Sequence, residues 1–398
     1  MTNYSKHFLT VGSLLRDPEL LSYRKEIEGR DDITYPFYDD IPGYKAVEDR
    51  AVADALHQQL AHGLTEVSDG EQGRSLWHLD FAWGLDGVRR YINDIGYFFH
   101  DDGETGACKS FETRKDIGLA VDGKLSGKNH AFIDQYKRLQ ELFSQEENKD
   151  FAQLKFTIPA PAHLYAEFLA NEAIGPDKYY SDHQVFLTDL VAAYKEFISE
   201  YAALGVKIIQ IDDCIWSIFA GDGEENANLS TLDLDGDKRD QLAQDFIRVN
   251  NEVADYAHEL GLKVYGHNCR GNYASRSNAE GTYEEIAKYF LAQLHYDRFY
   301  LEWDDERAGS LAALAVFKDR PEVEVVVGAL SSKSADLDDP ERALALLEEA
   351  SQYIDKDKLY LSHQCGFASC DCGNELTADN QWAKIDQGHE IAYQFFNE

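Results

Sequence analysis

His267 and Cys269 stand two residues apart in Gly266-His267-Asn268-Cys269, at the end of a short β-branched run. Imidazole nitrogen and thiolate sulfur are both good zinc ligands, and one such pair commonly supplies half of a tetrahedral site. Two further donors occupy comparable points: Glu302 in Leu301-Glu302-Trp303-Asp304 and Cys365 in His363-Gln364-Cys365-Gly366. Four such donors on one rim make a zinc site whose fourth position can exchange for an incoming ligand. A thiol entering that position loses its proton more readily than in water, so the chemistry on offer is thiol activation. A rival arrangement is a local metal knot in Cys365-x4-Cys370-x-Cys372, but it lacks a second pair at zinc-ribbon spacing. We therefore expect Cys370 and Cys372 to be loop thiols near the site, and Cys108 and Cys214 to be packing residues.

Two carboxylates end other apolar runs, Glu71 in Ser68-Asp69-Gly70-Glu71 and Asp212 in Gln210-Ile211-Asp212-Asp213. They can hold a substrate ammonium, act as general acid or base, or bind a metal. The plainer role is a salt bridge to Arg74 or Arg270. Ser13, in Val11-Gly12-Ser13, offers a hydroxyl beside accessible backbone N–H groups, which suits a carboxylate; its plainer role is a helix N-cap.

These residues matter together only if one fold brings their positions to one end. Eight short β-branched runs recur, at 8–13, 64–69, 156–161, 208–213, 263–267, 299–303, 323–330 and 359–362. Between and after them lie stretches of helical period at 46–62, 183–204, 239–260, 283–294, 309–318, 340–354 and 379–396. Gly63, Gly205 and Gly261 close three of these, and Asp338-Asp339-Pro340 opens another. Alternating strands and helices with nearly continuous apolar strands indicate a parallel sheet covered by helices, and eight repeats favour a closed (β/α)₈ barrel. Its active site lies at the C-terminal strand ends, where all the residues above fall. We expect a single (β/α)₈ catalytic domain over 1–398, with 71–150 as an inserted excursion after the second strand. That excursion is read as a hairpin through 87–99 followed by a helix over 130–147, covering the barrel mouth or forming a homodimer contact.

Composition narrows the function classes. With 44% hydrophobic residues, 23 Tyr and 21 Phe in 398 residues, the chain can fill a large core, which excludes a disordered protein. Its 73 acidic residues outnumber 38 basic ones, for a formal charge of −35 spread along the chain. Such a field repels phosphate backbones and anionic lipid, so neither nucleic acid nor membrane is an expected partner. The first residues lack the basic start and apolar run of a signal peptide, and no stretch reaches the ~18 apolar residues of a membrane helix. A cytoplasmic location is expected, where disulfides are rare.

The ordered strings Val11-Gly12-Ser13, Ser68-Asp69-Gly70-Glu71-Gln72-Gly73-Arg74, Ile209-Gln210-Ile211-Asp212, His267-Asn268-Cys269-Arg270-Gly271-Asn272, Glu302 and Ser362-His363-Gln364-Cys365-Gly366-Phe367-Ala368-Ser369 carry a family resemblance. Together they resemble the cobalamin-independent methionine synthases, in particular their short single-barrel relatives. The resemblance implies a Zn²⁺ held by His267, Cys269, Glu302 and Cys365, with the homocysteine thiol as entering ligand and 5-methyltetrahydrofolate as methyl donor. It also implies that Val11, Gly12 and Ser13 bind the amino-acid carboxylate, and that Glu71 and Asp212 take the ammonium. Long members of that family carry a further N-terminal barrel that helps bind the folate. Asp213 stands where they have Glu, Cys214 where they have Pro, and Pro159-Ala160-Pro161 differs from their folate-stacking segment, so no folate residues carry over. Two other reaction classes fit a zinc barrel: thiol alkylation from a corrinoid or epoxide donor, and hydrolysis by an activated water. Two cysteines on the rim suit sulfur chemistry better than hydrolysis.

Overall fold

The structure, a computed structural model, describes residues 4–38, 41–101, 104, 108–220 and 237–398. Six parallel strands form its continuous sheet, in the order Leu359–His363, Glu324–Leu330, Arg298–Glu302, Lys263–Asn268, Ile208–Asp212, Phe156–Pro159. Sequence order equals spatial order, as right-handed strand–helix–strand crossovers require. Strand residues such as Val325, Val327, Ile209, Ile211 and Ile158 are fully buried, because helices cover the outer face and the barrel lumen covers the inner one.

The ring closes through the first two strand positions, which are much shorter than their apolar runs suggest. Glu66–Val67 pairs in parallel with Gln153–Leu154, which runs on past Lys155 into Phe156–Pro159. Residues 8–13 make only a bridge from Phe8 to Leu361, with Leu9 N–H donating to the Leu361 carbonyl at 2.9 Å. Side chains take over the backbone groups that a ladder would have used. Lys155 Nζ donates to the carbonyls of Thr10 (2.6 Å) and Val11 (3.1 Å), Gln210 Nε2 to that of Val11 (2.9 Å), and Ser68 Oγ to that of Gly12 (2.8 Å). Gln59 likewise pairs both the N–H and the C=O of Ser68. The backbone is satisfied without strand geometry, so an apolar run does not become a strand.

The (β/α)₈ barrel is therefore present, with an unusual lumen. Leu9, Val11, Ile208, Tyr265, Tyr300 and Val326 pack around its axis. Buried among them are Lys155, Glu66 and Arg298, with Arg298 Nη1 to Glu66 Oε1 at 2.7 Å. Burial lowers the Lys155 pKa to about 8 against the pull of Glu66.

Helices form where the punctuation indicates. Asp182 caps His183–Ala203, Asp339 caps Pro340–Ala350 with Pro at the first turn, and a Thr377/Asn380 capping box opens Ala378–Phe396. Gly205 follows the long helix at φ +79°, a conformation that a side chain would strain. Three segments depart from expectation. The 283–294 stretch splits into Tyr283–Ile286 and Phe290–Gln293, because Ala292 N–H bonds back five residues to Ala287 O and breaks the helical ladder. The 309–318 stretch tightens into a 3-10 helix, Leu311–Asp319. The 156–161 run stops at Pro159, and Pro161 instead starts the helix Pro161–Ala170, where a missing N–H costs nothing.

No hairpin forms within 87–99. Asp86–Tyr91 pairs antiparallel with the distant Gly118–Ser126, whose Leu119, Val121 and Leu125 are buried, and Phe98–Phe99 pairs with Phe111–Glu112. The expected helix at 130–147 is present as Ala131–Gln145. Phe98–Phe99 reaches the mouth: Asn278 Nδ2 donates to the Phe98 carbonyl at 2.9 Å, and His100 bridges to Ser277.

Candidate metal centre and active site

Parallel strands deliver their last residues to one end, and a cavity of about 130 Å³ opens there. His267 and Cys269 come from the end of Lys263–Asn268, and Cys365 follows Leu359–His363 three strands further on. One ligand atom from each lies within 4.8 Å of the others, and all three residues are buried. An imidazole nitrogen and two sulfurs at that spacing fit a tetrahedral zinc ion.

Local packing fixes each ligand. His267 Nδ1 is 3.2 Å from Asp212 Oδ1, and Nε2 is 3.3 Å from the Gln364 carbonyl. Burial drives the His267 pKa down, but hydrogen bonding to Asp212 and Cys365 more than offsets it and raises the value to about 10. Contact with Cys214, together with burial, pushes the Cys269 thiol well above its ordinary pKa, and Cys269 with burial does the same to Cys365. Without an ion the three groups keep their protons, so an arriving metal must displace them. At Gly366, a Cβ would sit 1.9 Å from Ser13 Oγ; only glycine lets the Cys365 loop approach Ser13 this closely.

Glu302 is not among the three clustered ligands. Its Oε2 accepts the Arg270 backbone N–H at 2.9 Å, and its Oε1 lies 3.3 Å from Arg307 Nη2. An amide and a guanidinium thus hold the carboxylate to one side.

Glu71 and Asp212 both line the cavity, as do Val11 and Ser13, whereas Gly12 is not among its lining residues. The salt-bridge role anticipated for Glu71 is real: Oε1 lies 3.3 Å from Arg74 Nη1 and accepts from Thr157 Oγ1 at 2.7 Å. Burial nonetheless raises the Glu71 pKa against the pull of Arg74 and Arg16. Arg270 does not pair with Asp212; it donates to the Gly281 carbonyl and lies over the Tyr283 ring. Asp212 is held by Gln210 Nε2 at 2.7 Å. Ser13 caps no helix, since the first helix, Pro18–Arg24, is capped by Asp17.

Two cysteines fall where sequence reasoning did not put them. Cys214 lines the cavity, with its sulfur 3.3 Å from that of Cys269, and Cys108 is exposed instead of packed. Cys370 also lines the cavity, its sulfur 2.8 Å from that of Cys372, while Cys365 groups with His267 and Cys269. The local knot is therefore not the arrangement formed.

Several lining residues carried no recognisable signal. Trp77, His78, Tyr97 and Phe99 come from the excursion, and His163 and Glu167 from Pro161–Ala170. Only the one-turn spacing of His163 and Glu167 was visible beforehand, and it becomes informative once a helix is placed there. Behind the rim, Asp213 Oδ2 accepts from Trp216 Nε1 (2.6 Å), Asn250 Nδ2 (2.8 Å) and Tyr296 OH (3.1 Å). Its backbone N–H donates to the His267 carbonyl at 2.7 Å, so it braces the strand that carries His267.

No family model matches the chain. It is 33% identical to the uncharacterized protein YxjG of Bacillus subtilis (strain 168) over 87% of its length and 85% of the relative's. With the uncharacterized protein YxjH of the same organism it is 33% identical over 96% and 92%. Among solved structures, a candidate vitamin-B12-independent methionine synthase from Listeria monocytogenes superposes at TM-score 0.68, with 24% identity and 100% of both chains covered. A B12-independent methionine synthase from Shewanella sp. W3-18-1, in complex with selenomethionine, superposes at 0.68 with 19% identity over 98% and 97%. Among the described residues no helix is long and apolar enough to cross a membrane. One third identity over most of both lengths shows that the chain belongs to the family of YxjG and YxjH, and its fold is that of the vitamin-B12-independent methionine synthase structures.

Proposed function

We propose that this chain is a zinc-dependent methyltransferase that moves a methyl group from a folate-type donor to the thiol of homocysteine, giving methionine. The observation that carries the reading is the meeting of His267, Cys269 and Cys365 on the cavity that Ser13, Glu71 and Asp212 also line. A soft-donor site and a carboxylate pair in one small cavity match a ligand bearing both a thiol and an ammonium. The selenomethionine bound by the Shewanella neighbour is a close analogue of the product in this reading.

Zinc bound by the three residues supplies the Lewis acidity that makes an entering thiol a thiolate at neutral pH. Glu302, engaged by the Arg270 amide and Arg307, would have to turn from them to serve as the fourth donor in this reading, a position an incoming thiol could take instead. Glu71 and Asp212 hold the ammonium, and Ser13 with the backbone of Val11 and Gly12 holds the carboxylate. Asp212 also steadies a metal ligand, because its contact with His267 Nδ1 orients the imidazole as an outer carboxylate does in tuning metal-bound histidines.

Methionine formation by the zinc-loaded protein from homocysteine and 5-methyltetrahydrofolate tests the reading. The expected result is turnover that needs both substrates and is abolished in Cys365→Ser. Hydrolytic activity independent of any thiol would overturn the reading, and turnover with a different thiol but not homocysteine would replace the acceptor.

A further inference from the structure

The same cavity is lined by a second group of potential ligands that the thiol chemistry does not use. His78 comes from the excursion, and His163 and Glu167 face the same side of Pro161–Ala170, one turn apart. One ligand atom from each lies within 4.8 Å of the others, and all three residues are buried. His78 Nε2 is 3.4 Å and His163 Nε2 is 3.6 Å from the same oxygen, Glu167 Oε1.

Among the described residues, neither ring nitrogen of His78 or His163 has a hydrogen-bond partner, although both rings are buried. The two Nε2 atoms share the single oxygen Glu167 Oε1 at lengths beyond a good hydrogen bond, and the two Nδ1 atoms have no partner among the described residues; burying them so is costly unless something absent from the polypeptide satisfies them. Donors about 2.1 Å from a metal ion stand roughly 3.0–3.4 Å apart along the edges of an octahedron or tetrahedron, close to the separations seen here. The surroundings suit ligands as well. Tyr97 OH donates to Glu167 Oε2 at 2.7 Å, which fixes the carboxylate, and the Trp77 ring packs against both imidazoles at 4.6 and 4.8 Å.

We propose that His78, His163 and Glu167 form a second metal site in the cavity, one that binds a first-row divalent transition ion through two nitrogens and one oxygen. Imidazole donors select such an ion over Mg²⁺ or Ca²⁺, and three protein ligands leave coordination positions open toward the cavity. The site is distinct from the cysteine-bearing one in donor chemistry, and it stands whether or not the thiol-transfer reading holds.

Cobalt titration of the metal-free protein separates the two sites, because only a cysteine-bound Co²⁺ gives intense thiolate charge-transfer absorption in the near ultraviolet. The expected result is two equivalents bound by the wild type, one with that band and one without. Glu167→Gln and His163→Gln should each bind one equivalent and keep the band, which also reports that the barrel has folded. Cys365→Ser should still take up the equivalent that lacks the band. The proposal is overturned if the wild type takes up no Co²⁺ that lacks the thiolate band, or if Glu167→Gln binds as many as the wild type; the wild-type stoichiometry and spectrum decide even if a variant does not fold.

Discussion

Replacing Asp213 by Asn removes a titration that folding has displaced. The carboxylate is wholly buried, no cation among the described residues pairs with it, and burial raises its pKa from 3.8 to about 7. A folded-state pKa above the unfolded one means that the folded chain binds the proton more tightly. The stabilisation is therefore complete below about pH 4 and is lost as pH rises through 7. A shift of about three units at 1.36 kcal/mol each is worth ~4 kcal/mol. Asparagine keeps an oxygen for the three donors that Asp213 Oδ2 accepts and puts an amide where Oδ1 has no partner. That unpaired amide costs about 1–3 kcal/mol at every pH, whereas the proton effect vanishes. Urea unfolding of both proteins, metal-free, between about pH 4 and 8 should show the wild-type advantage shrinking by ~4 kcal/mol as pH rises. Parallel stability profiles would refute the argument, because they would mean that Asp213 binds its proton equally well folded and unfolded.

Four further outcomes follow from the site and the lumen. Cys365→Ser should lose most of the zinc bound at the His267 site, as read by elemental analysis of purified protein after removal of weakly held metal. Zinc affinity at that site should rise with pH from about 6 to 9, because His267, raised to about 10, and the two thiols must each release a proton; competition against a chelator should give a slope near three protons per ion, and a flat profile contradicts it. If the proposed reaction holds, Glu71→Gln should raise the KM for homocysteine about 10- to 100-fold, the usual value of a charged hydrogen bond, with kcat changed less, in steady-state assays. Glu66→Ala should destabilise the barrel by about 3–5 kcal/mol in urea unfolding, because it removes the lumen carboxylate that offsets the buried charge of Lys155 and leaves Arg298 with Glu324 as its ion-pair partner.

Much of the architecture is legible in the chain itself, because it rests on local rules. Val325 to Val327 and Ile208 to Ile211 are β-branched and apolar with little interruption, so they read as strands buried on both faces. Asp182, Asp339 and Thr377 mark helix starts through hydrogen bonds reaching only two or three residues. The positions of His267, Cys269 and Cys365 at strand ends follow from the same rules, since parallel strands must present those ends together.

What only the tertiary structure decides is every feature that depends on partners far apart in sequence. Residues 8–13 do not become a strand because Lys155 and Gln210, well over a hundred residues away, take their carbonyls. Glu302 is drawn aside by Arg270 and Arg307, Cys214 is brought against Cys269, and His78 meets His163 because an excursion folds back over the mouth. Local sequence sets which backbone conformations are cheap, whereas these contacts depend on which groups burial leaves to satisfy one another, and that is settled only when the whole chain has packed.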